Sequence, residues 1–294
     1  KFGKASYSPK SFNNKYGVPL SLFNLNINNN YGVFEIGMDK KGEIDFLSSI
    51  VKPNIGVITN ISYAHAKNFK SISDIAKAKA EIINNIKKYG SIILNADDKF
   101  FSIHKKIAKK RRLNIVSFGY SYKSDVKFLK LKKLRNHYKI EVQIFDELKK
   151  FEIRYKYKNY IKNILSALAV LYILKITKNL TSNFFKNFLI PEGRGNISKI
   201  KFKNKKIFLI DESYNSNPLS LSSAISNFSN TNIKSEKKHF LMGDMLELGK
   251  HSKKLHKDMS KILNNSKINK IHIYGNDVAE RFKGIKKKSK KKKN

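Results

Sequence analysis

The sequence predicts an α/β protein of two domains, the first of which is built around a parallel sheet. Short apolar segments alternate with segments of helical periodicity, which is typical of parallel strands joined by crossover helices. With 294 residues, the chain is long enough to bury the cores of two domains. The predicted strands of the first domain are 31–36, 55–61, 91–95 and 114–118.

Two further patterns complete the first domain, which we place at residues 1–190. A helix is predicted at 72–88, because the residues near one face are Ile75, Ala76, Lys79, Ile82 and Ile83. Alternating apolar and polar residues at 126–157 then predict an antiparallel flap, followed by a helix at 160–175. The longest apolar stretch, 164–174, is too short to cross a bilayer and is interpreted as a core helix.

The second and smaller domain, 191–294, is predicted to begin where PEGRG at 191–195 interrupts the pattern. Its predicted strands are 206–210, 238–242 and 270–274, and they alternate with helices. The apolar run 207–210 is interpreted as a buried strand that ends at Asp211 and Glu212, and Pro218 suits the first turn of a helix. Acidic and amide groups at such a position often bind ligands in open sheets. An ordinary strand–turn–helix corner is the alternative.

The composition narrows the classes of function. The formal net charge is +39, but lysine is spread through every segment, and only 286–293 is a dense run, within a lysine-rich tail from about 283. No zinc-finger spacing, RNA-binding aromatic motif or basic-zipper repeat accompanies this charge. The chain has no cysteine, so disulfides and cysteine-ligated zinc are excluded. A basic module that binds nucleic acid or an anionic surface remains the alternative, and it would need the cations clustered on one face.

Four segments carry a resemblance to a known family. The run DESYNSNP at 211–218 is similar to the D-D-S-Y-N-A-N-P motif of the Mur ligases. NNKYGVP at 13–19, GDMLELG at 243–249 and the stretch 35–81 match other motifs in the family's order, so that the similarity spans about 6–275. The N-N-x-x-G-V-P and Y-N-x-N-P motifs resemble those of the member that adds D-alanyl-D-alanine. Another Mur-type amide ligase is the alternative, against which the YNSNP turn argues.

The resemblance implies a fold and an activity. It implies a central P-loop-type ATPase domain with an antiparallel flap, followed by a Rossmann-like α/β domain. The implied reaction is ATP- and Mg²⁺-dependent and joins D-alanyl-D-alanine to UDP-MurNAc-tripeptide through an acyl phosphate. The implied protein is a cytoplasmic monomer without membrane insertion or a nucleic-acid partner. Because the family's G-x-x-G-K-T/S loop and K-G-S-R motif do not occur, we expect a chain truncated at both ends that does not turn over ATP alone.

The resemblance also implies a metal site. Glu35 matches the E-x-G motif, His65 matches T-N-x-x-x-x-H, and Lys79 matches the second lysine of K-A-K-x-E, which the family carbamylates. Carbamylation needs an amine that is neutral part of the time, which burial promotes. Its product is a hard oxygen donor of the kind that Mg²⁺ prefers. Taken singly, each residue has an ordinary explanation: a cap, a satisfied polar side chain or a surface lysine.

Further positions match motifs around the nucleotide and the substrate. Asn163 matches the last asparagine of H-N-x-x-N, although Asn159 and Tyr160 depart from the motif. Arg194 matches the G-R-G turn that reaches the ATP phosphates, where a planar guanidinium suits the duty, and Asp211 matches the first acid of D-D-S-Y. The catalytic assignments are therefore Lys79, His65 and Arg194. The residues expected to shape the substrate cleft are Asn14, Tyr214, Asn215 and Asn217. For Asp244, Glu247 and His256, packing is as plausible as substrate contact.

Overall fold

The chain folds into two compact units in a computed structural model that describes residues 2–64, 66–135, 137–154, 160–231, 237–275 and 285–286. The first unit comprises Lys1–Ile61 and Phe69–Phe188. The second comprises Leu189–Asn294 together with Ser62–Asn68, a short segment that the chain supplies from within the first unit's sequence. Within the described ranges, no helix has both the length and the apolar character that crossing a bilayer requires.

The first unit is built around a six-stranded mixed sheet of order β3-β4-β5-β6-β7-β8. The pairs from β3 to β6 are parallel, and β6, β7 and β8 form an antiparallel meander. A separate parallel pair, β1-β2, lies near the start of the chain. The strands are β1 (Ala5–Tyr7), β2 (Tyr31–Val33), β3 (Ile55–Ile58), β4 (Ser91–Asn95), β5 (Asn114–Gly119), β6 (Val126–Lys133), β7 (His137–Ile144) and β8 (Glu147–Arg154).

The sheet and its helices confirm the predicted α/β class and the antiparallel flap. All five residues of β4 are buried, as befits a central parallel strand covered on both faces. α5 and α6 both pack against β4 and β5, and α6 buries the apolar run that the sequence marked as a core helix. The helices are α1 (Gly17–Phe23), α2 (Glu43–Val51), α3 (Ile72–Ala80), α4 (Ile82–Asn85), α5 (Phe101–Lys110) and α6 (Ile161–Ile173).

The helix predicted at 72–88 is wrong in one respect, because the structure breaks it at Glu81. The Glu81 carboxylate accepts hydrogen bonds from the N–H of Gly42, at 2.9 and 3.0 Å, and from that of Asp45, at 3.2 Å. These are unpaired amides of the first turn of α2, where a negative charge is also favoured by the helix dipole. A tertiary cap therefore interrupts a run whose local periodicity is continuous.

Within its described residues, the second unit has two short two-stranded sheets and two α-helices. β11 (His239–Met242) and β12 (Lys270–Ile273) are parallel, and α7 (Pro218–Ser229) packs against α8 (Ser252–Asn264). Its core is a cluster of buried apolar side chains from these elements and from the loops beside them. Ile285, which falls within the predicted lysine-rich tail, is 3% exposed in this core, whereas 287–294 lie outside the described residues.

The predicted strand at 207–210 is confirmed, but the prediction that it is buried is wrong. β10 (Lys205–Asp211) pairs antiparallel with β9 (Asn196–Phe202) in a two-stranded hairpin, and β9 was not predicted. Ile207, Phe208 and Leu209 are 39%, 39% and 47% exposed. An apolar run of four residues has strand propensity, but only its partners decide whether it is covered. The predicted Pro218 helix start is confirmed, since α7 begins at that residue.

Candidate active site

Asn13 holds the Glu35 side chain. The Asn13 side-chain amide donates to a Glu35 carboxylate oxygen at 2.8 Å, and the Asn13 carbonyl accepts from the Gly37 N–H at 2.7 Å. A Cβ on Gly37 would stand 3.0 Å from the Asn13 side chain, so glycine permits the close approach. Glu35 itself is exposed and follows β2, which ends at Val33 rather than continuing to 36. The first asparagine of the NNKYGVP segment therefore orients the carboxylate of the EIG segment.

Three side chains fix the backbone immediately after β3. The Asn95 amide donates to the Thr59 carbonyl at 2.9 Å, and the Lys79 Nζ donates to the Asn60 carbonyl at 3.0 Å. A carboxylate oxygen of Asp98 accepts from the Ile61 N–H at 2.9 Å. These three consecutive backbone groups lead directly into the segment 62–68. Side chains of segments 95–98 (NADD) and 77–81 (KAKAE) thus both contact the main chain at 59–61.

Lys79 is partly buried on α3, in contrast to an ordinary surface lysine. Burial lowers the pKa of its ammonium, and the negative charge of Asp98 opposes that shift. Beneath the same helix His104 is 2% exposed, and its Nε2 lies 3.0 Å from the Ala76 carbonyl. Because a carbonyl only accepts, this bond places the ring proton on Nε2. Burial also lowers the pKa of His104, which favours the neutral ring.

His65, the third metal candidate, lies outside the described residues. Its neighbours Ala64 and Ala66 are described, and Ala66 is fully buried. Among the residues that the structure describes, no three His, Cys, Asp or Glu side chains form a group able to hold a metal ion. The donor chemistry still suits Mg²⁺, because Glu35 presents an oriented carboxylate and the Lys79 amine is biased toward its neutral form.

Asn163 lies exposed in the first turn of α6, beside a structural ion pair. Lys162 and Asp97 are 2.9 Å apart, and the Asp97 carboxylate also accepts from the N–H groups of Tyr120 and Ser121. Burial raises the pKa of Asp97, but these hydrogen bonds and Lys162 outweigh it and hold the pKa below its usual range. Asp97 therefore holds the loop that follows β5 and the start of α6.

Arg194 is stacked on Tyr214 within the second unit. The guanidinium carbon lies 4.3 Å from the centre of the Tyr214 ring, which is the geometry of a cation–π contact. Gly193 holds this turn with a φ of +70°, and a Cβ there would approach the Tyr214 main-chain nitrogen to 2.8 Å. The N–H of Tyr214 donates to the Gly193 carbonyl at 3.1 Å. The structure thus brings together two residues that the sequence assigned to different ligands.

Asp211 ends β10 next to the same turn. Its carbonyl accepts from the Gly195 N–H at 2.6 Å, and its carboxylate accepts from the Ser213 N–H at 3.0 Å. Hydrogen bonds from the Ser213 side chain and main chain lower the pKa of Asp211. Partial desolvation and the charge of Asp211 raise the pKa of Glu212, and Arg194 opposes this. Two acids and one guanidinium therefore share one corner of the second unit.

One predicted substrate residue caps a helix, and a second holds the turn that leads into another helix. The Asn217 side-chain oxygen accepts from the N–H of Leu219 and Ser220, both at 3.0 Å, in a capping box at the start of α7. The Asn14 side-chain oxygen accepts from the Gly17 N–H at 2.9 Å, at the start of α1. Asn215 lines a shallow depression of the second unit, with other residues from segment 62–68 and the GDMLELG loop. These hydrogen bonds use the side-chain oxygens of Asn217 and Asn14 and thereby orient both side chains.

The sequence of the chain and its fold both match known proteins. The Mur ligase middle domain matches residues 2–171. The chain belongs to the Mur ligase family. A ligase from Rickettsia prowazekii, named UDP-N-acetylmuramoyl-tripeptide--D-alanyl-D-alanine ligase, is 30% identical over 90% of this chain and 58% of its own length. A protein of the same name from Buchnera aphidicola is 33% identical over 92% of this chain and 58% of its own length.

Solved Mur ligase structures share the fold. The chain is similar to MurF from Acinetobacter baumannii, with a TM-score of 0.85, 27% identity and coverage of 98% of this chain and 61% of that one. It also has the fold of MurF from Thermotoga maritima, crystallised with ADP, with a TM-score of 0.81, 23% identity and coverage of 97% and 64%. The predicted resemblance to the Mur ligases is confirmed. This Mur ligase chain spans about three fifths of the length of the relatives it matches.

Sequence reasoning on this Mur ligase missed the residues that support the candidates. Asn13, Asn60, Glu81 and Asp98 act through hydrogen bonds between segments far apart in sequence. Each lies inside or next to a motif used for the family match, and that was the available signal. Motif membership alone does not reveal which partner a side chain contacts, so their roles required the structure.

Proposed function

We propose that this chain is the ATP-using central and C-terminal part of a ligase that joins D-alanyl-D-alanine to UDP-MurNAc-tripeptide. The observation that carries the proposal is the environment of Lys79, whose amine is partly buried, has a lowered pKa and lies at the end of β3. A lysine tuned in this way suits carbamylation better than a surface role. The two relatives named for this reaction, each similar over at least 90% of the chain, supply the substrates.

The reaction consists of two transfers. The terminal carboxylate of the tripeptide attacks the γ-phosphorus of ATP, the bond to ADP breaks, and an acyl phosphate forms. The free amine of D-alanyl-D-alanine then attacks the acyl carbon, loses a proton, and phosphate leaves. The cytoplasm is the proposed compartment, because the reaction consumes ATP. The monomeric state stays a prediction.

Each candidate is assigned a role in this reaction. Glu35, His65 and carbamylated Lys79 would hold Mg²⁺, which neutralises charge on the transferred phosphoryl group. A carbamate nitrogen keeps one hydrogen, so Lys79 could still donate to the Asn60 carbonyl while its new carboxylate faces the metal. Arg194, Asn163 and Asp211 would contact the nucleotide. The remaining candidates would orient UDP-MurNAc-tripeptide and D-alanyl-D-alanine through side-chain NH₂ and hydroxyl groups. They are Asn14, Tyr214, Asn215 and Asn217.

Replacing Lys79 tests the metal role. We expect Lys79→Ala in the full-length protein to lose activity on the order of 10²-fold or more, because an anion at the developing charge disappears. Added formate or acetate should restore part of the rate by supplying a carboxylate. Lys77→Ala is the matched control, since Lys77 is exposed on the same helix and should change stability by less than about 0.5 kcal/mol.

Steady-state rates with and without the carboxylic acids decide the matter. Wild-type rates for Lys79→Ala without additive would contradict the assignment. Equal losses in Lys77→Ala and Lys79→Ala would instead assign the effect to the helix or to general charge, and would also contradict it.

A further inference from the structure

Segment 62–68 joins β3 to α3 in sequence, yet it folds with the second unit. Its residue Ala66 is fully buried, and a short 3₁₀ turn, Ala66–Asn68, closes the segment. The N–H of Lys67 donates to the Glu247 carbonyl at 2.8 Å. The main chain of the GDMLELG loop, rather than one of its side chains, is therefore the acceptor for this segment.

Gly249 lets the two main chains approach each other closely. A Cβ at Gly249 would stand 2.7 Å from the Lys67 Cα and 3.3 Å from the Lys67 carbonyl oxygen. Gly249 has a φ of +52°, and Glu247, two residues earlier, has a φ of +62°. Two left-handed residues make a tight turn, and only glycine fits where the turn meets Lys67.

A ring contact and apolar packing add to the contacts between segment 62–68 and the turn 247–249, which we call the seat of the segment. The Tyr63 and His251 rings have their centres 5.2 Å apart. Tyr63 also packs against the buried cluster that contains Met245 and Leu248 of the same loop. Segment 62–68 is thus fixed near both of its ends, at Tyr63 and at Lys67.

The fixed points bracket His65. On the upstream side, Asp98 holds the Ile61 N–H at 2.9 Å, and on the downstream side Glu247 holds the Lys67 N–H. We propose that the turn 247–249 of the second unit is a positioning element, which sets the path of segment 62–68, the segment whose sequence contains the metal-ligand candidate His65. This inference depends on the proposed function only for the role of His65 as a metal ligand. It gives the GDMLELG motif a main-chain duty in place of a direct contact with substrate.

The motif contains its own control. A Cβ at Gly243 would meet nothing closer than the Tyr274 carbonyl oxygen at 3.8 Å. In the full-length protein we expect Gly249→Ala to raise the amide hydrogen-exchange rate of Lys67 about tenfold, because that amide loses its acceptor. We also expect it to weaken Mn²⁺ binding in the presence of ATP, followed by electron paramagnetic resonance, by about tenfold, as is usual when support for a metal ligand is lost. Gly243→Ala should leave both quantities unchanged.

His251→Ala is a second variant that adds no atoms. It removes the ring contact with Tyr63 and should show the same pattern, smaller in size, even if Gly249→Ala fails to fold. Unchanged Lys67 exchange in both variants would overturn the seat. Faster exchange with unchanged Mn²⁺ affinity would overturn the role of the turn 247–249 in metal binding. Both measurements are independent of ligation, so a wild-type protein that binds Mn²⁺ with ATP but forms no amide would contradict the proposed function alone.

Discussion

Arg194 shows how one residue is shaped by a glycine and a ring. The left-handed Gly193 lets the turn lie against the Tyr214 main chain, and the Tyr214 ring then supports the guanidinium at 4.3 Å. A guanidinium stacked by its flat face on a ring can also present its fork of N–H donors to phosphate oxygens. Lysine could not make the same arrangement, because its ammonium is a point charge without a flat face.

Removing the Tyr214 ring should therefore impair the use of ATP. An exposed cation–π contact is worth about 0.5–1 kcal/mol, so we expect Tyr214→Ala to lower kcat/KM for ATP by about fivefold at most. Tyr214→Phe keeps the ring and should retain the wild-type value for ATP. Kinetics with varied ATP measure the effect. An equal loss in both variants would attribute it to the hydroxyl and would contradict the stacking account.

Among the helices, polar side chains at or near the helix starts hold main-chain amides in each unit. Asn217 caps α7, Asn14 accepts from the first amide of α1, and Glu81 accepts from amides at the start of α2. Each cap fixes the path of a loop that carries a family motif. The rigidity of these loops thus comes from the same polar side chains that the motif comparison marks as functional.

Asn217 allows the cap and the substrate role to be separated. Asn217→Ala should lower the free energy of unfolding by about 1 kcal/mol, because two amides of α7 lose their acceptor. Asn217→Asp keeps the accepting oxygen and should recover that stability, but it lacks the NH₂ group and should not recover activity. Denaturant unfolding and steady-state rates give the two results. Full activity in Asn217→Asp would show that Asn217 only caps the helix.

Local pattern predicted β4, β5 and the antiparallel flap, because their apolar periodicity matches the burial that they have in the sheet. The break at Glu81 and the pairing of β9 with β10 were missed, since both depend on partners distant in sequence or on tertiary cover. The site followed the same division. The motifs gave Glu35 and Lys79, but the supports from Asn13, Asn60 and Asp98 required the fold.

Across the whole molecule, the net charge of +39 is a property of composition rather than of one surface. Exposed lysines occur on α3, α5 and α8 and along β6, in both units. Family membership says more about the two units than charge does. The Mur ligase middle domain matches 2–171, and the similarity to named relatives extends over the second unit as well. A protein whose main function is to bind nucleic acid would need its cations concentrated on one face.

The central claim is that the full-length protein forms an amide between UDP-MurNAc-tripeptide and D-alanyl-D-alanine at the expense of ATP. The most direct measurement is mass spectrometry of the nucleotide product, together with phosphate release, in reactions that omit one substrate at a time. We expect one dipeptide to be joined for each ATP consumed, and no phosphate release above background when either D-alanyl-D-alanine or the tripeptide is left out. Phosphate release that does not depend on D-alanyl-D-alanine, or a product extended by a single amino acid, would contradict the claim.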